Sequence, residues 1–242
     1  MQSYDLFAWF YHEYWGREIP SQLLTALDKF FLPLLPARAR VLDLCCGDGQ
    51  LAAQLARRGF VVSGLDASAE MLAYARRSAP EVEWINADAR SFDAPLLYDA
   101  VVSTFDSLNH FLSLKDLTQV FRNVRRALVD GGLFCFDVNL EKGFRLHWQE
   151  CFSVVEADKV CVVRGGYDAG DKMGRYDFTL FRAEEDGERW RRSDFTIEER
   201  CYSSREIRAA LKLAGFGRVK TYDAERDGGL ADHAGRVFFL AE

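Results

Sequence analysis

Residues 41–50 read VLDLCCGDGQ, a short apolar run that ends in a corner of two cysteines, two glycines and an aspartate. The run up to Leu44 predicts a buried strand. Gly47 and Gly49 allow the backbone to turn sharply and to approach a ligand closely. An apolar helical face follows over residues 51–56. The corner therefore predicts the first strand, turn and helix of an α/β fold.

Strand and helix patterns alternate five times along residues 37–144. Apolar strands joined by helices form a parallel sheet covered on both faces. Near the end of the chain, GFGRVKTYDAE and GRVFFLAE are two strands with no helical segment between them, so they must pair antiparallel. The predicted fold class is α/β: a doubly wound, mostly parallel seven-stranded sheet with an antiparallel last strand.

The alternation stops over residues 145–202, where β-rich runs are separated by turn-like stretches. This stretch predicts a small antiparallel β insertion without a helix. Ser203 and Glu206 then form a capping box that begins the last helix. The predicted domains are an N-terminal helical lid over 1–36, an α/β domain over 37–144 and 203–242, and the insertion over 145–202.

Composition excludes several classes of function. Lys and Arg total 31 against 37 Asp and Glu, a net charge of -6, and this balance argues against a nucleic-acid partner because phosphate contacts dominate such binding. No apolar run approaches the length of a membrane span, and the N-terminus lacks the features of a signal peptide. The six cysteines have no metal-ligand spacing. We expect a cytoplasmic protein with no membrane partner and no metal.

Acidic side chains follow three consecutive predicted strands: Asp43, Asp66 and Asp88. In doubly wound sheets, ligands bind at the carboxyl ends of the strands. A carboxylate at the position of Asp66 can bind both hydroxyls of a ribose. Asp88, beside Ala89, can accept a hydrogen bond from an exocyclic amine such as that of adenine. The three acids predict a nucleoside site at this edge of the sheet.

Two kinds of cofactor fit the glycine corner. GDGQLA also matches the G-x-G-x-x-A pattern of dinucleotide sites. A pyrophosphate would be repelled by Asp43 and Asp48, whereas an ammonium or a sulfonium would be attracted to them. An NAD(P)-dependent oxidoreductase remains the alternative enzyme. A cofactor-binding module without catalytic activity is the alternative outside enzymes.

The motifs resemble those of class I S-adenosylmethionine-dependent methyltransferases. VLDLCCGDGQ resembles their first motif, GLDAS their second-strand acid and NADAR their adenine-edge motif, and DAVVSTFDSLNHF and RALVDGGLFCFDVN resemble their fourth and fifth strands. The resemblance covers 37–140 and 203–242. The insertion and the aromatic stretch FYHEYWG are similar to small-molecule enzymes of the sugar-amine N-methyltransferase type. The resemblance implies a Rossmann-like fold, S-adenosyl-L-methionine as cofactor, and methyl transfer by in-line displacement to a small-molecule nitrogen or oxygen, with nitrogen preferred.

The resemblance also implies roles for individual residues. Gly47 and Gly49 would pack against the methionine and ribose parts, and Asp43 would orient the amino group directly or through water. Asp66 would bind the ribose hydroxyls. The remaining implied contacts flank the adenine, read its edge or lie near the methionyl chain: Ala67, Met71, Asp88, Ala89 and Phe105. Cys45, in the same corner, would also contact the cofactor. No chemistry is assigned to the thiols of Cys45 or Cys46.

Three further features are left with two readings each. Tyr14 and Trp15, with Tyr11, could form a lid over the cofactor or simply pack. His110, beyond the fourth strand, could be a general base or an ordinary loop histidine; a base is needed only if the acceptor arrives protonated. The insertion could shape the acceptor pocket or pair with a second copy as a homodimer through its strand edges. The remaining histidines show no partner spacing and are predicted to lie on the surface: His12, His147 and His233.

Overall fold

The structure, a computed structural model, describes residues 2–16, 19–94, 97–184 and 189–242. Its helices are α1 (Gln2–Phe10), α2 (Ile19–Phe30), α3 (Gln50–Arg57), α4 (Ala69–Ser78), α5 (Leu114–Ala127), α6 (Glu141–His147) and α7 (Ser204–Leu213). Its strands are β1 (Arg40–Leu44), β2 (Val61–Asp66), β3 (Glu83–Asn86), β4 (Tyr98–Ser103), β5 (Leu128–Asn139), β6 (Cys151–Val155), β7 (Lys159–Asp168), β8 (Met173–Ala183), β9 (Trp190–Arg200), β10 (Val219–Asp223) and β11 (Arg236–Ala241).

Seven strands form the central sheet, in the order β10-β11-β5-β4-β1-β2-β3. β1 to β5 pair in parallel, whereas β11 pairs antiparallel with both β5 and β10. The predicted fold class is confirmed, including the antiparallel pair at the end of the chain. Strand order reverses on either side of β1, so the carboxyl ends of β1 and β4 border the crevice in which ligands of such sheets bind.

Apolar side chains cover the central sheet on both faces. On one face, α5 and α7 bury an aromatic cluster that includes Phe121, Phe136 and Phe239. On the other face, α2 and α3 pack Leu27 and Leu55 against β1. A sheet buried on both faces requires apolar residues on both sides of each strand, which is the pattern of the sequence.

Serine side chains cap two of the helices. The Ser203 hydroxyl accepts a hydrogen bond from the Glu206 amide at 3.2 Å, and the Glu206 carboxylate accepts one from the Ser203 amide at 2.8 Å. This reciprocal pair confirms the predicted capping box. Ser113 caps α5 in a similar way by accepting from the Asp116 amide at 3.0 Å.

The insertion forms a separate four-stranded antiparallel sheet, in the order β6-β7-β8-β9. One prediction at its boundary was wrong: residues 145–147 belong to α6, so the region does contain part of a helix. α6 has only seven residues, and it is held by the packing of Phe144 on Trp148 and Tyr167 rather than by a long apolar face. In the central sheet, residues 130–132 (Asp-Gly-Gly) lie inside β5, and the pairing of β5 with β4 shifts register between Tyr98 and Ala100.

The N-terminal segment is divided between two places. α1 continues into a π-helical turn over Tyr11–Trp15, and this part packs with the inner face of the insertion sheet through Phe7, Phe10 and Phe178. α2 instead packs on the central sheet. The predicted lid over 1–36 therefore corresponds, within the described residues, to residues 2–16. No described helix combines the length and apolar character needed to cross a membrane.

Candidate cofactor and acceptor site

The corner after β1 contains three residues with positive φ: Cys45 (59°), Gly47 (54°) and Gly49 (78°). Gly49 is required for packing as well as for its backbone. A Cβ at this position would lie 2.4 Å from Cη2 of Trp84 and 2.8 Å from Cβ of Ala75. The corner is thus closely packed from behind, and α3 begins immediately after it.

Asp66, at the end of β2, connects the corner to the next helix. Its carboxylate accepts hydrogen bonds from the amides of Gly47 at 2.9 Å and Ser68 at 2.8 Å. Burial raises the pKa of Asp66, while these amide donors lower it. The two amides hold the carboxylate in place, and each of its oxygens keeps a second lone pair for a ligand hydroxyl.

Asp43 is buried beneath the corner and is 2 % exposed. Its Oδ2 atom has no hydrogen-bond partner among the described residues. Burial, with Asp66 and Asp48 nearby, raises the pKa of Asp43 to about 8. Asp43 is therefore an acid that a cation near the corner would stabilise in its charged form.

Asp88 follows β3 and is held by Arg90. The Arg90 guanidinium donates to both carboxylate oxygens, with Nη2 at 2.5 Å from Oδ2, and the Arg90 amide donates at 2.8 Å. These bonds lower the pKa of Asp88. Asp88 is therefore ionised at neutral pH and available as a hydrogen-bond acceptor at the rim of the site.

The N-terminal segment closes over this edge of the sheet. Asp5 on α1 accepts a hydrogen bond from the Ser68 hydroxyl at 2.6 Å. His12 in the π-helical turn contacts the buried Asp48, with 2.7 Å between Nδ1 and Oδ2. Both contacts attach the segment to loops that follow β1 and β2, so the segment covers the site.

Tyr14 does not occupy the place predicted for it. Its hydroxyl donates to Glu156 at 2.5 Å, and its ring lies 4.7 Å from that of Phe10. Tyr14 therefore faces the edge of the insertion sheet, next to an ion pair between Lys159 and Glu13. The π-helical turn shifts the phase of the helix, which is why Tyr11 and Trp15 line the cavity and Tyr14 does not.

A single cavity of about 630 Å³ joins the strand ends, the lid and the insertion. Ten of the predicted site residues line it: Trp15, Cys45, Gly47, Asp66, Ala67, Met71, Asp88, Ala89, Phe105 and His110. Asp43 and Gly49 lie behind its wall, and Tyr14 lies outside. The residues that line the cavity remain predicted ligand contacts, and the structure brings them together around one space.

The loop after β4 forms the second half of the cavity wall. Phe105 and Asp106 both have positive φ, at 62° and 50°. Asp137 on β5 accepts from both of their amides, at 2.8 and 3.0 Å. Arg236 on β11 pairs with Asp137, and its Nη2 lies 3.3 Å from Oδ2 of Asp106. A buried charge network therefore holds this strained loop in place.

His110 follows this loop and contacts the lid. Its Nδ1 lies 3.1 Å from the carbonyl oxygen of Glu198; since a carbonyl only accepts, the hydrogen-bond network assigns the ring proton to Nδ1. Its Nε2 then accepts from the Tyr4 hydroxyl at 2.7 Å. Burial lowers the pKa of His110, while Asp106 raises it, and burial raises the pKa of Tyr4. Both groups are therefore neutral at pH 7.

Several polar residues of the cavity wall were not predicted from the sequence, among them Tyr4, Asp106, Glu199 and Arg236. For one of them, Glu199, the sequence pattern contained a signal. Phe195, Ile197 and Glu199 occupy alternate positions of β9, so Glu199 places an acid where the strand pattern requires an apolar residue.

The three histidines predicted to lie on the surface are half-buried. His12 contacts Asp48, and His147 and His233 line the cavity. The surface prediction was wrong because it considered only neighbours in sequence, whereas each of these histidines is covered by residues distant in the chain.

Comparison with known proteins agrees with this geometry. Residues 41–132 match the family model described as a methyltransferase domain. The putative methyltransferase YqeM of Bacillus subtilis is 29% identical over 221 residues, which is 88% of this chain and 88% of that protein.

Solved structures agree with the fold of the whole chain. A S-adenosylmethionine-dependent methyltransferase from Clostridium acetobutylicum matches with a TM-score of 0.77 at 21% identity, covering 99% of this chain and 98% of that one. The sugar N-methyltransferase KedS8 from Streptoalloteichus sp. matches with a TM-score of 0.76 at 20% identity, covering 98% and 91%. The predicted resemblance to S-adenosylmethionine-dependent methyltransferases is confirmed by the family model over residues 41–132 and by the fold of these solved structures.

Proposed function

We propose that this protein transfers a methyl group from S-adenosyl-L-methionine to a nitrogen atom of a small-molecule acceptor. The observation that carries the proposal is that one cavity spans two chemically different ends. It is lined at one end by the acids and glycine that follow β1 to β3, and at the other by buried polar groups of the β4 loop and the insertion. A donor and an acceptor that occupied the two ends would meet inside one cavity.

The residues at the strand ends fit the cofactor. Asp66 presents a fixed carboxylate for the ribose hydroxyls, and Asp88 an ionised acceptor for the adenine edge. Gly47 brings main chain to the cavity wall without a side chain. The buried Asp43 and Asp48 and the half-buried Asp66 surround the corner with acids, and such a corner favours a ligand that carries a positive charge over a pyrophosphate.

The bound cofactor would supply a sulfonium-activated methyl group for in-line displacement. This chain would contribute alignment and exclusion of water, which account for much of the rate in such a reaction. Phe7, Tyr11 and Trp15 close the cavity on the lid side. Phe105, held by the Asp137 network, fixes the wall between the two ends.

A preference for nitrogen is supported by the charges at the acceptor end. Asp106, Asp137 and Glu199 are all at least nine-tenths buried there, and Arg236 is the buried cation paired with two of them. An excess of acid attracts an ammonium group more strongly than a neutral hydroxyl.

An ammonium acceptor must lose a proton before it can attack the methyl group. Neutral His110 has Nε2 free of a proton, and the Tyr4 hydroxyl bonded to it lines the same cavity. We assign His110 as the base, reached directly or through the Tyr4 hydroxyl, which would pass its own proton to Nε2 as it accepts one from the ammonium.

Calorimetric titration of the purified protein with S-adenosyl-L-methionine, S-adenosylhomocysteine and NAD, side by side, tests the proposal. We expect micromolar binding of the two adenosyl ligands and no binding of NAD. Tight binding of NAD alone would instead support the oxidoreductase alternative. Adenosyl binding without turnover on any amine or alcohol would favour a catalytically silent module. A cytoplasmic location and a homodimer through the insertion stay predictions.

A further inference from the structure

We propose that Glu199 selects the acceptor, by binding an N–H group of an ammonium through its carboxylate, one oxygen of which has no partner among the described residues. This inference rests on the proposed function, because it assigns the acceptor half of the same cavity. It gives the β insertion a direct role in substrate choice.

The position of Glu199 is the first support. Glu199 lies on the inward face of β9, is 4 % exposed and contributes to the cavity wall. Its Oε1 lies 3.3 Å from Nε2 of His110. Its Oε2 has no hydrogen-bond partner among the described residues. A buried carboxylate oxygen without a partner costs free energy, and a ligand donor in the adjoining cavity would remove that cost.

The charges around Glu199 are the second support. Burial raises the pKa of Glu199, with Asp106 and Asp137 raising it further and Arg236 lowering it. Arg236 is paired with Asp137 and Asp106, and no ion pair links it to Glu199 in the described part of the chain. The titratable and charged groups that face Glu199 are Tyr4, Asp106, His110, Asp137, Tyr176 and Arg236. This acid therefore lacks a cation of its own, and an ammonium would supply one.

Aromatic side chains shape the rest of this end of the cavity. Trp148 and Tyr176 stack with ring centroids 4.2 Å apart, and Phe178 lies beside them. Flat apolar walls beside a buried acid fit a compact carbon skeleton that carries one primary or secondary ammonium group.

The test compares two probes of the same shape. Calorimetry measures the dissociation constants of cyclohexylammonium and of cyclohexanol at pH 7, with the protein saturated with S-adenosylhomocysteine and again without it. We expect the wild-type protein to bind the ammonium at least about tenfold more tightly than the alcohol, since bonds to charged groups are the stronger class. Equal binding, or tighter binding of the alcohol, would overturn the inference.

Two variants test whether the preference for the ammonium over the alcohol comes from Glu199. Glu199→Gln keeps the shape and removes the charge, so we expect the ratio between the two dissociation constants to fall to about one. Asp194→Asn is the matched control, because Asp194 lies on the same strand, is exposed and pairs with Arg192. It should leave the ratio unchanged. A wild-type ratio in Glu199→Gln would contradict the assignment.

The readouts separate this inference from the proposed function. Failure of S-adenosylhomocysteine to bind the wild-type protein would refute the proposed cofactor, while the probe ratio measured without it would still test Glu199. If Glu199→Gln itself fails to fold, judged by circular dichroism, Glu199→Asp takes its place. Its withdrawn carboxylate should weaken ammonium binding severalfold, and an unchanged ratio would overturn the inference.

Discussion

Replacement of Asp66 by Asn tests the cofactor end of the cavity most directly. Asp66 accepts from the Gly47 and Ser68 amides and lines the cavity. The variant keeps the shape of the side chain, removes its charge and turns one acceptor into a donor. The Asn side chain has one oxygen, which accepts, and one NH2 group, which only donates. The two main-chain N–H groups of Gly47 and Ser68 contact different carboxylate oxygens of Asp66, so one of these contacts must be lost.

The expected magnitude follows from the bonds involved. A hydrogen bond to a charged group contributes roughly 1.5–3 kcal/mol. Asp66 is placed to accept two hydrogen bonds from the ribose hydroxyls. In the Asn variant, the amide oxygen keeps part of the energy of one of these bonds. A net loss of about 3 kcal/mol corresponds to about a hundredfold increase in the dissociation constant. Stability should change less, because burial already raises the pKa of Asp66. A loss of about 1 kcal/mol would lower the melting temperature by about 2–4 °C.

The assay is calorimetric titration with S-adenosylhomocysteine, together with a thermal melt of the free protein. Asp99→Asn is the matched control. Asp99 also accepts a main-chain hydrogen bond, from the Arg40 amide at 2.7 Å, but it lies at the start of β4, at the opposite edge of the sheet. We expect this control to leave the affinity at the wild-type value.

Two results would refute the reasoning. Wild-type affinity in Asp66→Asn would show that the carboxylate does not bind the ribose. An equal loss of affinity in Asp99→Asn would show that the effect comes from general loosening of the sheet.

Three further predictions concern the corner and the acceptor end. Gly49→Ala should lower the free energy of unfolding by about 2–4 kcal/mol in chemical denaturation, because its Cβ would lie 2.4 Å from Trp84. Gly59→Ala is the control: Gly59 has a φ of 92° and open space around it, so the loss should be only about 1 kcal/mol. Equal losses would contradict the packing argument. Burial raises the pKa of Asp43 to about 8, so the folded protein binds a proton that the unfolded chain releases, and stability should fall as pH rises from about 4 to about 8. Melting curves of Asp43→Asn should show a shallower fall over this range, and an unchanged slope would contradict the assignment. On an amine acceptor, His110→Ala should lower kcat by about 10²–10³-fold and remove the acidic limb of the pH profile; an unchanged profile would exclude His110 as the base.

The sequence alone predicted the fold and the residues that follow β1 to β3 at one edge of the sheet. Apolar strands alternating with helices require a parallel sheet covered on both faces, and two strands without a crossover require the antiparallel end. Asp66 and Asp88 could be assigned to one edge because residues that follow parallel strands meet at the same edge of a sheet. These inferences depend on the local periodicity of apolar residues and on the order of strands and helices, and both can be read directly from the sequence.

Only the tertiary structure decided which residues complete the cavity wall beyond the strand ends. Tyr4 and His110 are 106 positions apart in the chain, and Glu199 reaches them from a separate sheet. Tyr14 was assigned to the cavity, but the π-helical turn over Tyr11–Trp15 directs its side chain away from it. Tyr4 lies before this turn, in α1, and its contact with His110 depends on how the lid packs. Local patterns predict which side of a strand or helix is buried. The partners of a buried polar group, in contrast, depend on how the lid, the insertion and the central sheet pack against one another.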